Sequence, residues 1–539
     1  MRTVLLASAA AALALAVPAA AAPGKVAVGV RAQASIEQLA PRLEQATGGL
    51  VARTLPKLGA VVLRVPDTEE ATSRLSRLAA VEYVEPVEHA RSLAFVPSDP
   101  LAARQWYLTH IRAFDAWPEP PDLEPVLVAV LDSGIDGDHP EFAGRIAEAK
   151  SFVDSDALED AIGHGTMVAG EIAALIENAE GIAGAGLSVH LLIAKIVESD
   201  GTISLDAEAD AIRWAVDQGA RVINLSLSGR RHPTDPAHDN FSELEAAAVA
   251  YARRKGVVVV APTGNCEPMC PYRYASYPAA LPHVIGVSAV NRESRVPRFS
   301  NRDPIFNDLA APGVGILSTF PRTLSLLGCE PAGYTLCAPG EYMRGEGTSF
   351  SAPLVSAAAA TLLAIRPDLR PNQVTAILTE TAADSGKPGR DAASGNGVLD
   401  MTAAIEALNG PFLPADRYET NDGPGSDAYR LFFAARAAKR KVVATLDRFN
   451  DPVDVYSVFL RGGQKLTLWF GGSTSGSVDL ALWRPGTKSF DQAGPLRARR
   501  ALVSRGRLAY RAPERGWYFV EVRAKQGAIG AYQLAVVRR

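Results

Sequence analysis

Three short segments, far apart in the chain, carry residue types that together make a nucleophilic hydrolytic centre. They are Asp132-Ser133-Gly134, then Gly163-His164-Gly165-Thr166, then Gly347-Thr348-Ser349 running into Phe350-Ser351-Ala352-Pro353. A serine hydroxyl attacks poorly at neutral pH unless a base takes its proton. An imidazole serves as that base when a carboxylate fixes its tautomer and stabilises its charged form. Asp132, His164 and Ser349 can fill those three roles. Singly, each motif has a plainer reading: a strand-end Asp caps a helix or turn, Gly-His-Gly bends a loop, and Gly-Thr-Ser caps a helix. Their weight comes from occurring together on elements that suit them.

Those elements are readable. Pro125 through Leu131 is an unbroken apolar run, the pattern of a parallel strand buried on both faces, and it stops at Asp132. The carboxylate thus stands at a strand's carboxyl end, where open α/β sheets place their sites. The segment from His164 to Ile176 reads as a helix whose Ala169, Gly170, Ala173 and Ala174 permit close packing. Phe350 to Ile365 is too uncharged for a surface helix and reads as a buried central one. Ser349 stands at its amino end, where backbone N–H groups and the helix dipole favour developing negative charge. Val257 to Ala261 is a further buried strand, ending in Pro262-Thr263-Gly264-Asn265. Val189 to Val197 and Arg221 to Leu227 read as strands around an amphipathic helix, Ser204 to Gln218, which makes a βαβ unit. The expected fold class is α/β: a doubly wound, mostly parallel sheet with a buried central helix.

The motifs resemble the three signatures of the subtilisin-like (subtilase) family. They are Val128 to Asp136 with His139-Pro140, Gly163 to Gly170, and Gly347 to Pro353. The order Asp, His, Ser is that of subtilisin, and the resemblance spans residues 99 to 408. It implies a serine endopeptidase with Asp132, His164 and Ser349 as catalytic residues, and Asn265 as oxyanion donor beside the backbone N–H of Ser349. It also implies that Leu225, Ser226, Leu227, Ser228 and Gly229 run antiparallel to an extended substrate, with Gly264 a further substrate contact. Asp308 to Gly313 with Ile316, Ser318 and Thr319 resembles a family segment of structural weight. The chemistry implied needs no cofactor. Many members bind structural calcium, but Asp154, Asp156, Glu159 and Asp160 lack a recognised loop spacing and read as a solvated loop, so no metal residue is assigned. Three positions depart from the family pattern: Phe350 replaces the usual Met, Met167 a second His, and Ser351 a common Ala. None removes a catalytic atom, though Phe350 adds bulk beside the site.

Arg2, the apolar stretch Val4 to Val17 and small residues up to Ala22 read as a secretory signal peptide, 1–22, and place the protein outside the cell or in the periplasm. A retained anchor is the alternative, and no later segment is expected to cross a membrane. Residues 23–97 resemble an inhibitory prosegment, a small α+β domain removed by self-cleavage between His89 and Ser98; a permanent accessory domain is the other reading. The catalytic domain then spans 98–410. After a linker, Gly410 to Pro414, residues 411–539 resemble the bacterial pre-peptidase carboxyl-terminal domain through Asp416 to Asp422 and Asp451 to Tyr456. Alternating segments at Gln464 to Phe470, Val478 to Trp483 and Gly516 to Val522 make it a β-sandwich.

Four cysteines in an exported chain favour two disulfides. Of three pairings the local one is preferred, Cys266–Cys270 with Cys329–Cys337, while zinc stays open for the closely spaced first two. With 539 residues, 47% of them apolar, and a net charge of −4, the chain has room for several domains and gives no support for a nucleic-acid partner. Its expected partners are polypeptide substrates and its own prosegment, and it is expected to be a monomer. Two other readings are a catalytically silent peptide-binding relative and an adhesion protein whose sandwich carries the main role. Phe350 has no thioether to oxidise, so activity should survive a mild peroxide treatment that inactivates a Phe350→Met variant; equal loss in both would contradict this.

Overall fold

The structure is a computed structural model. It describes residues 24–539 apart from 32–34, 67, 88–94, 118, 120, 233–234, 267–273, 326–334, 337–340, 410–415, 420, 433–436, 448–450, 473–476, 488–489, 491–495, 503–504 and 526–528. The expected signal peptide, the linker at 410–414, most of the expected self-cleavage segment, and Cys270, Cys329 and Cys337 lie outside the described residues. Two compact units result, residues 1–91 and 92–539.

The first unit is the small α+β domain read from the sequence. Its antiparallel sheet runs in the order Leu50–Leu55, Ala60–Val65, Gly24–Val30, Val81–Pro86. Helices Ile36–Thr47 and Thr68–Leu75 supply Leu39, Leu43, Ala71 and Leu75 to a core that Val26, Val28, Val61 and Leu63 complete. Alternation along Ala60–Val65 sends Val61, Leu63 and Val65 into that core and leaves Arg64 exposed, as period-two packing requires.

In the second unit seven strands form one wholly parallel sheet. Their order is Leu309–Pro312, Val284–Val290, Val258–Pro262, Val222–Asn224, Val126–Asp132, Val189–Lys195, Ile146–Ser151. The strand Val126–Asp132 is first in sequence yet lies inside the sheet, so the winding reverses beside it and opens a crevice at its carboxyl end. Both faces are covered, which explains the continuous apolar runs. Val126, Val128 and Val130 face the core shared with helices His164–Ala173 and Ala352–Ile365. Ala129 and Leu131 face the opposite core, with helices Leu205–Asp217 and Glu243–Arg254.

The helix Ala352–Ile365 is buried through Ala364. The stretch Thr348–Ile365 is long and apolar enough by composition to cross a membrane, which corrects the expectation that no such segment follows the amino end. Here 89% of it is buried in the domain core, so it is the central helix that its lack of charge indicates. Four consecutive alanines, Ala357 to Ala360, let this helix approach the sheet closely.

After residue 415 two sheets pack into the expected sandwich. One runs Tyr429–Arg430, Val453–Leu460, Gly516–Lys525, Ser477–Trp483, Arg497–Leu502; the other runs Ala438–Asp447, Ile529–Arg538, Lys465–Gly472, Arg505–Arg511. Leu446, Val458, Leu468, Leu480, Val520 and Leu534 fill the space between them. In the central helix, Ala359→Leu in a Ser349→Ala background should lower unfolding stability by ~1–3 kcal/mol, because the site has no room for added methylenes; chemical denaturation measures it.

Candidate active site

Asp132 ends its strand and is 4% exposed. Its Oδ1 accepts from the Ser133 N–H at 2.7 Å, and its two oxygens lie 2.8 and 2.9 Å from His164 Nδ1. A carboxylate only accepts, so Nδ1 must carry the proton, which leaves Nε2 as the acceptor. His164 opens the helix His164–Ala173, and a sixth of its side chain is open to solvent. Burial opposes charging of the imidazole. The charge and hydrogen bond of Asp132, with the charge of Asp160, outweigh it and raise the pKa above 6.5. Gly165 permits the close approach of helix and strand end, because a Cβ there would lie 2.2 Å from the carbonyl oxygen of Gly134.

Ser349 sits in a single 3₁₀ turn, Thr348–Phe350, just before the central helix, whose regular part starts at Ala352. Its neighbours are fixed on both sides. Thr348 donates from its backbone N–H and its hydroxyl to Asn265 Oδ1, each at 2.9 Å. Both donors need an acceptor, so the amide is turned with its nitrogen away from them and available to donate elsewhere. On the other side the Phe350 ring centroid lies 5.5 Å from that of His164. The residues on either side of Ser349 thus contact the asparagine and the imidazole. Gly347, at φ +148°, makes this possible: a Cβ there would stand 3.0 Å from Asn265 Nδ2. Phe350 is 1% exposed and turns inward beside Gly345, so its bulk supports the histidine instead of filling the cleft.

Several residues that hold this arrangement escape the sequence reading. Asp160 belongs to a run read as a solvated loop, yet it is 4% exposed. Its Oδ1 accepts from Ser133 Oγ and from the Ile162 and Gly163 N–H groups, and its Oδ2 from Thr166 N–H and Oγ1, over 2.7–3.1 Å. It thus ties the end of the Asp132 strand to the start of the His164 helix. The spacing of Asp160 ahead of Gly-His-Gly, at a helix cap, is the signal that could have found it. A second chain of hydrogen bonds runs from Ser356 Oγ to Asn224 Oδ1 at 2.8 Å, from Asn224 Nδ2 to Ser226 Oγ at 2.9 Å, and from Ser226 Oγ to the Ser349 carbonyl at 2.8 Å. A lone Asn in an apolar strand and a lone Ser in an apolar helix were its only marks. Ser318 and Thr319 donate to the carbonyls of Met167 and Thr166, the structural weight expected of that segment.

In the run 154–160, Asp160 and two backbone carbonyls are engaged within the protein. Lys195 Nζ donates to the carbonyls of Asp156 and Glu159 at 3.0 and 2.6 Å, so an ammonium already takes the place of a cation there, and both oxygens of Asp160 serve protein donors.

The expected substrate residues divide. The Leu225 side chain is wholly buried in the core and the Ser226 hydroxyl is committed to the Ser349 carbonyl, so any part these two take in an antiparallel pairing with substrate is a backbone one. Gly229 exchanges both backbone hydrogen bonds with Tyr277. Gly264 is buried and its carbonyl accepts from the Asn301 N–H, which fixes the turn that precedes Asn265. Leu227 is half-buried and Ser228 exposed. Cys266, next to Asn265, is disulfide-bonded, which removes it from the zinc reading.

Comparison with known proteins agrees with this geometry. Residues 124–397 match the subtilase family, and residues 7–86 match the fervidolysin amino-terminal prodomain. The thermophilic serine proteinase of Bacillus sp. (strain AK1) is 34% identical over 344 residues, 63% of this chain and 77% of that protein. Thermitase of Thermoactinomyces vulgaris is 33% identical over 261 residues, 48% of this chain and 88% of that one. Fervidolysin of Fervidobacterium pennivorans is 30% identical over 427 residues, 71% and 58% respectively. With a family match over more than half its length and serine proteinases among its relatives, the chain belongs to the subtilase family and is a serine-type endopeptidase.

Proposed function

We propose that Asp132, His164 and Ser349 form the catalytic triad of this endopeptidase, with Asn265 as oxyanion donor. The observation that carries the reading is the Asp132–His164 hydrogen bond, with the neighbours of Ser349 contacting Asn265 through Thr348 and His164 through Phe350. Ser349 Oγ attacks the scissile carbonyl while His164 Nε2 takes its proton, and Asp132 holds Nδ1–H and stabilises the imidazolium. The negative oxygen of the tetrahedral intermediate takes hydrogen bonds from Asn265 Nδ2 and the Ser349 N–H. His164 then protonates the leaving amine, and water releases the acyl group by the reverse sequence. Leu227 and Ser228 contact an extended polypeptide substrate, while Leu225 and Ser226 hold that strand and the nucleophile in place.

Residues 23–97 act as an intramolecular inhibitor until self-cleavage. A cut before Ser98 is supported by the residues after it: the Ser98 N–H already faces Glu177 Oε1 at 2.6 Å, and buried Asp99 accepts from the N–H groups of Glu177 and Asn178. A new amino terminus there would meet a carboxylate. The signal-like residues 1–22 support export, and the disulfide at Cys266 suits an oxidising compartment, with Cys270 as partner and Cys329–Cys337 as the second bridge.

Native and Ser349→Ala proteins expressed side by side test the reading: the native chain should lose its prosegment and hydrolyse casein, the variant should do neither. Asn265→Ala should fold and lose about 10²–10³ in turnover, a magnitude carried over from an asparagine donor in subtilisin. The base must be neutral to act and its pKa is raised, so the acid limb of kcat/KM should lie above pH 6.5. Asp160→Asn removes one of the raising charges and should move that limb to lower pH; an unmoved limb would count against the assignment of His164.

A further inference from the structure

The four-stranded sheet of the carboxyl-terminal sandwich makes its core side from even-numbered residues. Val442, Leu466, Leu508 and Leu534 lie between the sheets, so period-two alternation sends the odd-numbered neighbours to solvent. Six of those outward positions are cationic and exposed: Lys439, Lys441, Lys465, Arg505, Arg507 and Arg511. No Asp or Glu occurs in residues 438–446, 464–472, 505–511 or 530–539. Among the described residues none of the six is paired with a carboxylate; Arg511 donates instead to the Gly463 carbonyl. The imbalance extends to the whole region, since residues 437–539 hold 19 Lys and Arg against 7 Asp and Glu in a chain whose net charge is −4. Like charges on neighbouring strands repel one another, so such a face gains when a polyanion settles on it.

The face is grooved. Lys441, Ala535, Trp469 and Arg507 form one row in register across the four strands. The strand Ile529–Arg538 turns Ala531, Gln533, Ala535 and Val537 outward, an uncharged floor between longer side chains. Two hollows of about 540 and 490 Å³ open along it, and Trp469 forms a wall of both. Lys441, Arg499, Arg505 and Arg507 stand round the first, Lys439 and Arg539 round the second. Strands about 4.8 Å apart set the walls about 10 Å from each other, and the floor from Gln533 to Arg539 runs roughly 20 Å. That is room for one extended polymer chain.

Trp469 selects among polyanions. It is 38% exposed, and the Arg507 guanidinium lies over its ring, 5.7 Å from the centroid. An exposed indole among cations offers a flat apolar surface to the carbon face of a sugar ring, while the cations take its carboxylates. A single-stranded nucleic acid stacks successive bases on several aromatics. Trp469 is the one aromatic at the described outward positions of these strands. A membrane would have to be entered by an apolar group standing above the cations, and Trp469 stands mid-strand in a groove wall. A second copy of the same face would be repelled by its charge. We propose that this groove binds a linear acidic polysaccharide with one carboxylate per sugar, stacked on Trp469 and paired with Lys441, Arg505 and Arg507, and so holds the protease on an acidic matrix.

The test uses the full chain carrying Ser349→Ala, so that autolysis does not intrude, with polygalacturonate as the probe in titration calorimetry. Binding should saturate, weaken as salt rises, and be absent with the neutral polymer dextran. Trp469→Ala should weaken it about tenfold. Lys441→Gln combined with Arg507→Gln should weaken it by about the same factor and flatten its salt dependence. Arg254→Gln, which removes an exposed cation of the catalytic fold outside the groove, should leave the affinity within about twofold. If Trp469→Ala fails to fold, the Lys441 and Arg507 pair measured against Arg254→Gln decides. Failure of the parent to bind polygalacturonate, equal binding of dextran, or an affinity that none of the groove substitutions lowers overturns the proposal. Tighter binding of oligothymidylate or of phosphatidylglycerol vesicles than of polygalacturonate also overturns it, in favour of a nucleic acid or a membrane.

Discussion

Five donors converge on one buried carboxylate, Asp160, and the active site depends on that convergence. The donors come from the turn after the Asp132 strand, from the loop itself and from the first turn of the His164 helix. Hydrogen bonds to a charged group contribute about 1.5–3 kcal/mol each and are not additive. Their combined effect is geometric: Asp132 and His164 come from elements 32 residues apart, and their hydrogen bond holds only if strand end and helix start cannot slide. Water could not serve the same purpose, because the Gly165 contact leaves no space between the two elements.

The same logic extends to the nucleophile. A parallel sheet with both faces covered has apolar strands, so a polar residue at a strand end must find its partner within the fold. Asn224 does so by linking Ser356 of the central helix to Ser226, and Ser226 passes the restraint to the Ser349 carbonyl. Alanines on the central helix let it sit near enough for these bonds to form. Core packing and site geometry are therefore one problem in this fold: moving the helix outward would lengthen the polar chain that positions the serine.

Much of this was legible in the sequence because the fold writes it in period and punctuation. Val126–Asp132 and Ala352–Ile365 announce themselves by freedom from charge along their apolar length, and Asp132 closes the first while Ser349 stands just ahead of the second. What composition cannot convey is burial of a polar side chain. Asp160 stands among other acids and reads as solvated, though its neighbours in space are N–H and hydroxyl donors. Leu225 reads as part of a substrate strand, but alternation turns it into the core. The carboxylates of the sandwich, Asp416, Asp451 and Asp454 among them, lie in segments marked only by family likeness; their crowding comes from contact between segments some thirty positions apart, such as the Val455 N–H on the Asn421 carbonyl.

The account rests on Ser349 becoming acylated with His164 as its base. The most direct measurement is to trap the acyl-enzyme by acid quench during turnover of a peptide ester and to map the modified residue by mass spectrometry. The adduct should be on Ser349 in the native protein and should form far more slowly in Asp132→Asn, whose imidazole loses the acceptor that fixes its tautomer. An adduct on another residue, or acylation of Ser349 at an unchanged rate in that variant, would contradict the mechanism.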